Sequence, residues 1–190
     1  CVVITNEEEG GAQNSNITFT NGEPLKKESS ADYLGSEINK SGNTDVEVKR
    51  RIQMATATWK KLETLWKNHE VSVKYRLIIY DAVVRSKLLY GLESARLTPI
   101  LKSKLTAFQM RGLRQILKLK HSFYDRNNSY DRIITIARTK ANRKIELVTE
   151  YLSERAAALL GHIIRADNSD PLRQPTFLAS TAFHPLPEDR

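Results

Sequence analysis

Apolar residues recur at two different spacings along this chain, and the change comes near residue 44. Before it, β-branched and apolar residues fall in short clusters, Val2-Val3-Ile4-Thr5 and Ile17-Thr18-Phe19-Thr20, separated by the charged, glycine-containing stretch 7–13. The clusters predict short strands. Asn21-Gly22 follows the second one, and because both residue types tolerate positive φ, the pair predicts a hairpin turn with a return strand near Leu25. Residues 30–38 predict another strand with Tyr33-Leu34-Gly35 at its centre. Three short strands bury little by themselves, so residues 1–40 read as the edge of a larger sheet.

From residue 44 the period becomes helical. Val48, Ile52, Ala55, Trp59, Leu62 and Trp66 step by four and three, which marks one face of a helix. Thr44 with Glu47 three positions later predicts a capping box at its start. The opposite face is read as Lys49, Arg50, Arg51, Lys60 and Lys61, so the helix is apolar on one side and basic on the other. A second helix is expected over 72–89, burying Leu77, Tyr80, Val84 and Leu88 and ended by Gly91. A third begins at Thr98-Pro99, a favourable cap and first-turn pair, with Leu101, Leu105, Phe108 and Ile116 inside and Lys102, Lys104, Arg111, Arg114 and Lys118 outside. Residues 121–128 read as a polar break. A short helix follows over 131–138, and a long one over 142–166 turns Ile145, Val148, Leu152, Ala156, Leu159 and Ile163 inward. Pro171, Pro175, Pro185 and Pro187 predict an extended or disordered tail.

The expected fold is therefore mainly α with a small N-terminal β portion, an α+β arrangement. Its divisions are 1–40 for the strands, 41–120 for a first helical bundle, 121–167 for the helices after it and 168–190 for the tail.

Charge changes this picture more than composition does. The net charge is +8, but residues 1–40 carry 3 Lys and Arg against 7 Asp and Glu, residues 41–165 carry 25 against 11, and residues 166–190 carry 2 against 4. The helical middle is thus +14 between segments of −4 and −2. A basic block of that size attracts polyanions, of which phosphate backbones are the commonest in a cell. A lysine-rich surface kept for solubility is the competing reading. No stretch approaches the roughly 18 apolar residues of a membrane span, and the N-terminus has no charged region leading into an apolar run. With one cysteine, Cys1, no internal disulfide is possible, and four scattered histidines suggest no zinc site. The expectation is an intracellular protein, nuclear or cytoplasmic, with no membrane partner.

Chemistry is constrained mainly by what is missing. Phosphoryl transfer by two metal ions needs clustered carboxylates, commonly with an adjacent Asp pair, and no two Asp residues are neighbours here. There is no P-loop, no G-x-S-x-G elbow and no H-E-x-x-H helix. Tyr80-Asp81 and Tyr124-Asp125 each lack a second Asp, and their acids are expected at the surface. Trp59 and Trp66, on the apolar stripe, are expected in the core rather than stacked on bases. His162 is expected to be a satisfied structural histidine, and Cys1 a truncation scar.

Four motifs in order then carry a resemblance. Ala31-Asp32-Tyr33-Leu34-Gly35-Ser36, Gly42 and the stretch 46–52 (VEVKRRI) resemble the "YLG" strand and the helix after the palm in reverse transcriptases of non-LTR, LINE-like retrotransposons. Residues 86–93 (SKLLYGLE) resemble their "LLYG.E.W" motif, with Ala95 where tryptophan is usual. Residues 108–119 (FQMRGLRQILKL) resemble their "f..r.LR.ilgi" helix, and residues 160–165 (LGHIIR) their "lGHvlR" segment. The resemblance spans roughly residues 17–177. It implies an RNA-directed DNA polymerase of which this chain holds the end of the palm, the primer grip at Tyr33-Leu34-Gly35, the thumb and the region following it. The metal-binding aspartates would lie upstream of Cys1. The chain would then have no catalytic residue and no cofactor of its own, with magnesium implied only for the full-length enzyme, whose palm and fingers become its partner alongside primer–template duplex.

A thumb follows duplex without reading its sequence, so it needs phosphate contacts rather than base contacts. The candidate nucleic-acid-binding residues are Tyr33, Leu34, Gly35, Lys49, Arg50, Arg51, Lys60, Lys61, Arg111 and Arg114. Gly35 is expected to let backbone approach the primer, against the simpler reading of a strand with a bulge. The alternatives are a stand-alone, sequence-indifferent nucleic-acid-binding helical module and a helical scaffold that binds no nucleic acid.

Overall fold

In the computed structural model the described residues are 2–3, 18, 21–33, 35–40 and 44–167, with the backbone alone at 2, 3 and 33. The tail 168–190, Leu34 and most of residues 1–20 lie outside them. The protein is mainly helical with a small N-terminal β portion.

The strands expected at residues 2–5 and 17–20 lie mostly outside the described residues. Strand β1 (Val2–Val3) pairs in parallel with β2 (Lys26–Lys27), and Thr18 bridges Pro24 across a reversal that contains Gly22 at φ 84°. The single strand expected over 30–38 is instead a tight hairpin. Strand β3 (Ser30–Tyr33) pairs antiparallel with β4 (Ser36–Asn39), and Tyr33 faces Ser36 across the turn. Gly35 lies in that turn at φ 78°, where a side chain would be strained. Gly35 therefore stands at the corner of a hairpin, not at the centre of a strand.

Helix α1 (Thr44–Lys61) continues, after a break at Leu62, into α2 (Glu63–Lys67). The expected reciprocal cap between Thr44 and Glu47 does not form. The Thr44 hydroxyl donates to the Arg96 carbonyl at 2.9 Å, and Glu47 accepts from the Glu37 amide of β4 at 3.0 Å. A buried carboxylate gains more from a strand amide and nearby guanidinium groups than from its own helix end. Trp59 and Trp66 stack at 4.5 Å, Trp66 Nε1 donates to the Trp59 carbonyl at 2.9 Å, and both pack against the core.

Ser72 caps α3 (Val73–Ile79), which runs through a π-helical turn (Tyr80–Arg85) into α4 (Ser86–Leu89). The expected inward residues Leu77, Tyr80, Val84 and Leu88 are all buried. Their spacing does not register the π turn, where the carbonyls of Ala82 and Val83 accept from the Ser86 hydroxyl at 2.7 and 3.1 Å. The run ends before Gly91, at φ 72°.

Thr98 and Pro99 open α5 (Pro99–Leu117) as expected, with Thr98 Oγ1 accepting from the Leu101 amide at 3.3 Å. Helix α6 (Tyr130–Ala141) starts at a Ser129 cap. Helix α7 (Val148–Arg165) begins later than its apolar period suggested, because Asn142 takes a left-handed conformation and closes α6. Ile145 is still buried, but from the connecting loop. There Gln109 of α5, fully buried, donates to the Glu146 carbonyl at 2.7 Å and accepts from the Val148 amide at 3.0 Å. Its amide thereby fixes the start of α7. One core runs from Val48 to Leu152, so α6 and α7 share it with α1, α3 and α5. At its centre α5 comes so close that a Cβ on Gly112 would lie 2.9 Å from the Tyr80 ring and 3.2 Å from the Trp59 ring.

Candidate nucleic-acid interface

The basic residues of α1 divide into two groups according to what packs beside them. Near the hairpin, Arg51 is only 2% exposed. Its Nε donates to Glu47 at 2.5 Å, and its Nη2 donates to the Gly35 carbonyl at 2.6 Å and to Ser36 Oγ at 3.2 Å. Its guanidinium also lies 4.7 Å from the Tyr90 ring centre. Arg50 reaches the same Gly35 carbonyl at 3.2 Å, Glu47 at 3.3 Å and Asp32 at 3.1 Å. The expectation that Arg51 stands on the solvent face is thus corrected: it is placed four residues after Glu47 and four before Ala55, beside the apolar stripe, and that spacing was the available signal. Burial pushes the Glu47 carboxyl up, but the Glu37 amide and the Arg51 and Arg50 guanidinium groups outweigh it and hold the carboxyl below its usual range. The Gly35 corner serves as an acceptor for this lock. The side chain of Tyr33 and all of Leu34 lie outside the described residues.

At the other end of α1, Lys60 and Lys61 are exposed and form no ion pair among the described residues. They continue an exposed stripe through Val46, Lys49, Gln53 and Ala57. A matching stripe on α5 carries Lys104 and Arg111, both exposed. The two stripes meet at Asp45, which lies 3.4 Å from Lys49 and 3.7 Å from Lys104. Farther along, Trp59 of α1 touches Gly112 of α5, so the helices stay packed where Lys60, Lys61 and Arg111 are carried. Mobile cations on rigid helices can follow a phosphate backbone without specifying bases. Arg114 does not belong to this stripe. It is 8% exposed, with Nε and Nη2 buried and lacking hydrogen-bond partners, because its position falls on the core side of α5 next to Leu113 and Met110.

Asp81 also departs from expectation. It is buried in the π turn, bound to Arg85 at 2.7 Å and to Arg143 at 3.3 Å, and is not a surface acid. Asp81 and Arg85 border a cleft of about 670 Å³ between β4, the π turn and α7, where Arg85 stacks 4.5 Å from the Tyr151 ring centre and Arg155 lies 3.8 Å from Glu93. Acids and cations in the cleft neutralise one another, so it offers polyanions less than the open stripes do. Burial pushes the neighbouring Tyr80 phenol far above its usual ionisation, with Arg85 opposing and Asp81 adding to the effect. His162 is exposed in the last turn of α7 rather than held inside.

Among the described residues no group of three or more His, Cys, Asp or Glu side chains is placed to hold a metal ion. No helix among them is long and apolar enough to cross a membrane. Sequence reasoning passed over residues 121–128 as a polar break, yet Phe123 and Tyr124 there are 84% and 78% exposed and in contact with each other. Compared with known proteins, the chain matches no family model, no curated protein and no solved structure.

Proposed function

We propose that this chain is the thumb-side portion of an RNA-directed DNA polymerase of the non-LTR retrotransposon kind, holding primer–template duplex and unable to polymerise alone. The observation that carries the duplex-holding role is the pair of basic stripes on α1 and α5, joined at Asp45 and backed by a shared apolar core. The polymerase assignment is supported by the four ordered motifs. On this reading the carboxylates that bind magnesium belong to the palm, outside this chain, and the partners are nucleic acid and the rest of the enzyme.

Lys49, Lys60, Lys61, Lys104 and Arg111 contact phosphates, while Arg50 and Arg51 act one step back by fixing the hairpin against α1. Binding is then indifferent to sequence and steeply dependent on salt, since each neutralised phosphate releases counterions. The test is fluorescence anisotropy of the chain with a DNA–RNA hybrid duplex over a salt series. Replacing Lys60, Lys61 and Arg111 together by Gln should weaken binding equally on unrelated sequences and flatten the log–log salt slope by roughly one unit per lost contact. Unfolding midpoints should barely move, because the three side chains are exposed. No binding at low salt would sink the duplex-holding role. Sequencing the coding frame upstream of the Cys1 codon tests the polymerase assignment separately: an open frame without an Asp-Asp turn within a few tens of residues counts against it.

A further inference from the structure

The loop between α5 and α6 holds two large aromatic rings in solvent, which is an unusual use of apolar surface. Phe123 and Tyr124 stand edge to face, 5.3 Å between ring centres, and are 84% and 78% exposed. The loop beneath them is tied at both ends. The Leu119 amide donates to the Arg114 carbonyl at 2.9 Å, and Asn128, 3% exposed, donates from Nδ2 to the Lys120 carbonyl at 3.0 Å and to Asp125 at 3.1 Å. His121 accepts the Phe123 amide on Nδ1 at 3.1 Å and the Tyr124 and Asp125 amides on its carbonyl at 2.9 and 3.1 Å. Asp125 is turned onto the loop's own groups, receiving the Asn127 amide at 3.0 Å as well. The rings are therefore presented by a rigid support.

A second observation at the same end of the α5–α6 pair points to an anion. Arg114 is more than nine-tenths buried, yet Nε and Nη2 have no partner. Its nearest aromatic neighbour is Tyr130, the first residue of α6, whose ring centre lies 5.8 Å from the guanidinium carbon. A desolvated guanidinium without an acceptor is unfavourable until an anion supplies one. Lys118, Lys120, Arg126 and Arg132 surround the loop, exposed and outside any ion pair among the described residues.

We infer that this end of the molecule binds an unpaired stretch of nucleic acid, with bases stacked on Phe123 and Tyr124 and a backbone phosphate received by Arg114, whose covered Nε and Nη2 must turn outward to meet it. Aromatic faces accept any base, and the flanking cations follow the backbone. The site is separate from the duplex stripes: it needs exposed bases, which duplex does not offer.

The experiment is fluorescence anisotropy of the full chain with a short labelled oligothymidylate and, in parallel, with a hybrid duplex. Phe123→Ala and Tyr124→Ala should each weaken oligothymidylate binding by about tenfold and leave duplex binding unchanged. Tyr124→Phe, which keeps the ring, should retain it. Arg114→Met should weaken oligothymidylate binding while raising the melting temperature, since it removes an unpaired buried charge without removing volume; a residue serving only structure would lower it. Thermal melts followed by circular dichroism check that every variant folds. Unchanged oligothymidylate affinity in both alanine variants overturns the proposal and leaves the rings as a contact for a protein partner. So does a melting temperature lowered by Arg114→Met with affinity intact. If wild-type chain ignores oligothymidylate but binds duplex, this site fails and the duplex reading stands; the converse result separates them the other way.

Discussion

Three arginines are buried among the described residues, Arg51, Arg76 and Arg114, and Arg51 and Arg114 differ most in what burial has done to them. Arg51 is enclosed by the hairpin, with a carboxylate, a carbonyl, a hydroxyl and an aromatic face around it. Arg114 has an aromatic ring at 5.8 Å and two buried nitrogens without a hydrogen-bond partner. A satisfied buried charge fixes geometry, because its partners must all be in place at once; an unsatisfied one leaves free energy to be recovered on binding. With both buried, Arg51 serves the fold, and the recognition inferred for Arg114 rests on its missing partners.

The comparison breaks most visibly at Arg51. Arg51→Met leaves Glu47 buried beside Arg50 alone and abandons the Gly35 carbonyl, so denaturant unfolding should show a loss of about 3 kcal/mol. Should the loss stay within about 0.5 kcal/mol, the hairpin lock is not what holds α1, and Arg51 is no different in kind from Arg114. The two substitutions to Met are expected to have opposite signs.

A smaller effect is expected at Gly112, where α5 meets Trp59 of α1 and Tyr80 of the π turn. Ala there would drive a methyl group against the Tyr80 and Trp59 rings, at the distances a Cβ would meet them, and should destabilise by about 1–2 kcal/mol. Calorimetric melting measures it, and a neutral result would mean that α5 can shift, which would loosen the link between the α1 and α5 stripes.

The smallest effect is one of pH. Because the folded Glu47 carboxyl is held below its usual range, its contribution to stability is complete above the ordinary glutamate pKa of about 4.3 and is lost as pH falls through the lowered folded value. Urea midpoints measured from neutral to acid pH should fall more steeply for wild type than for Glu47→Gln. Parallel curves would detach Glu47 from the lock.

Local pattern revealed a good part of this fold. The stripe from Val48 to Trp66, the Thr98-Pro99 start of α5 and the inward set Leu77, Tyr80, Val84 and Leu88 follow from side-chain period and capping chemistry, which act over a few residues. Features that depend on a distant partner were not legible. The turn at Gly35 was hidden because Tyr33-Leu34-Gly35 reads equally as strand, and the late start of α7 because Ile145 is apolar whether it sits on a helix or in a loop that Gln109 holds. The π turn changes backbone hydrogen bonding without disturbing the apolar spacing that would betray it.

The sequence by itself determined that the chain is helical, basic in its middle and without an adjacent Asp pair, since these are properties of composition and short-range order. Which cations are left open was decided by tertiary structure alone. Arg50, Arg51, Lys60 and Lys61 are equal as charges along α1, but a hairpin packs against the first pair and nothing described packs against the second. A charge is spent or free according to the groups that folding brings beside it, and those groups come from elsewhere in the chain.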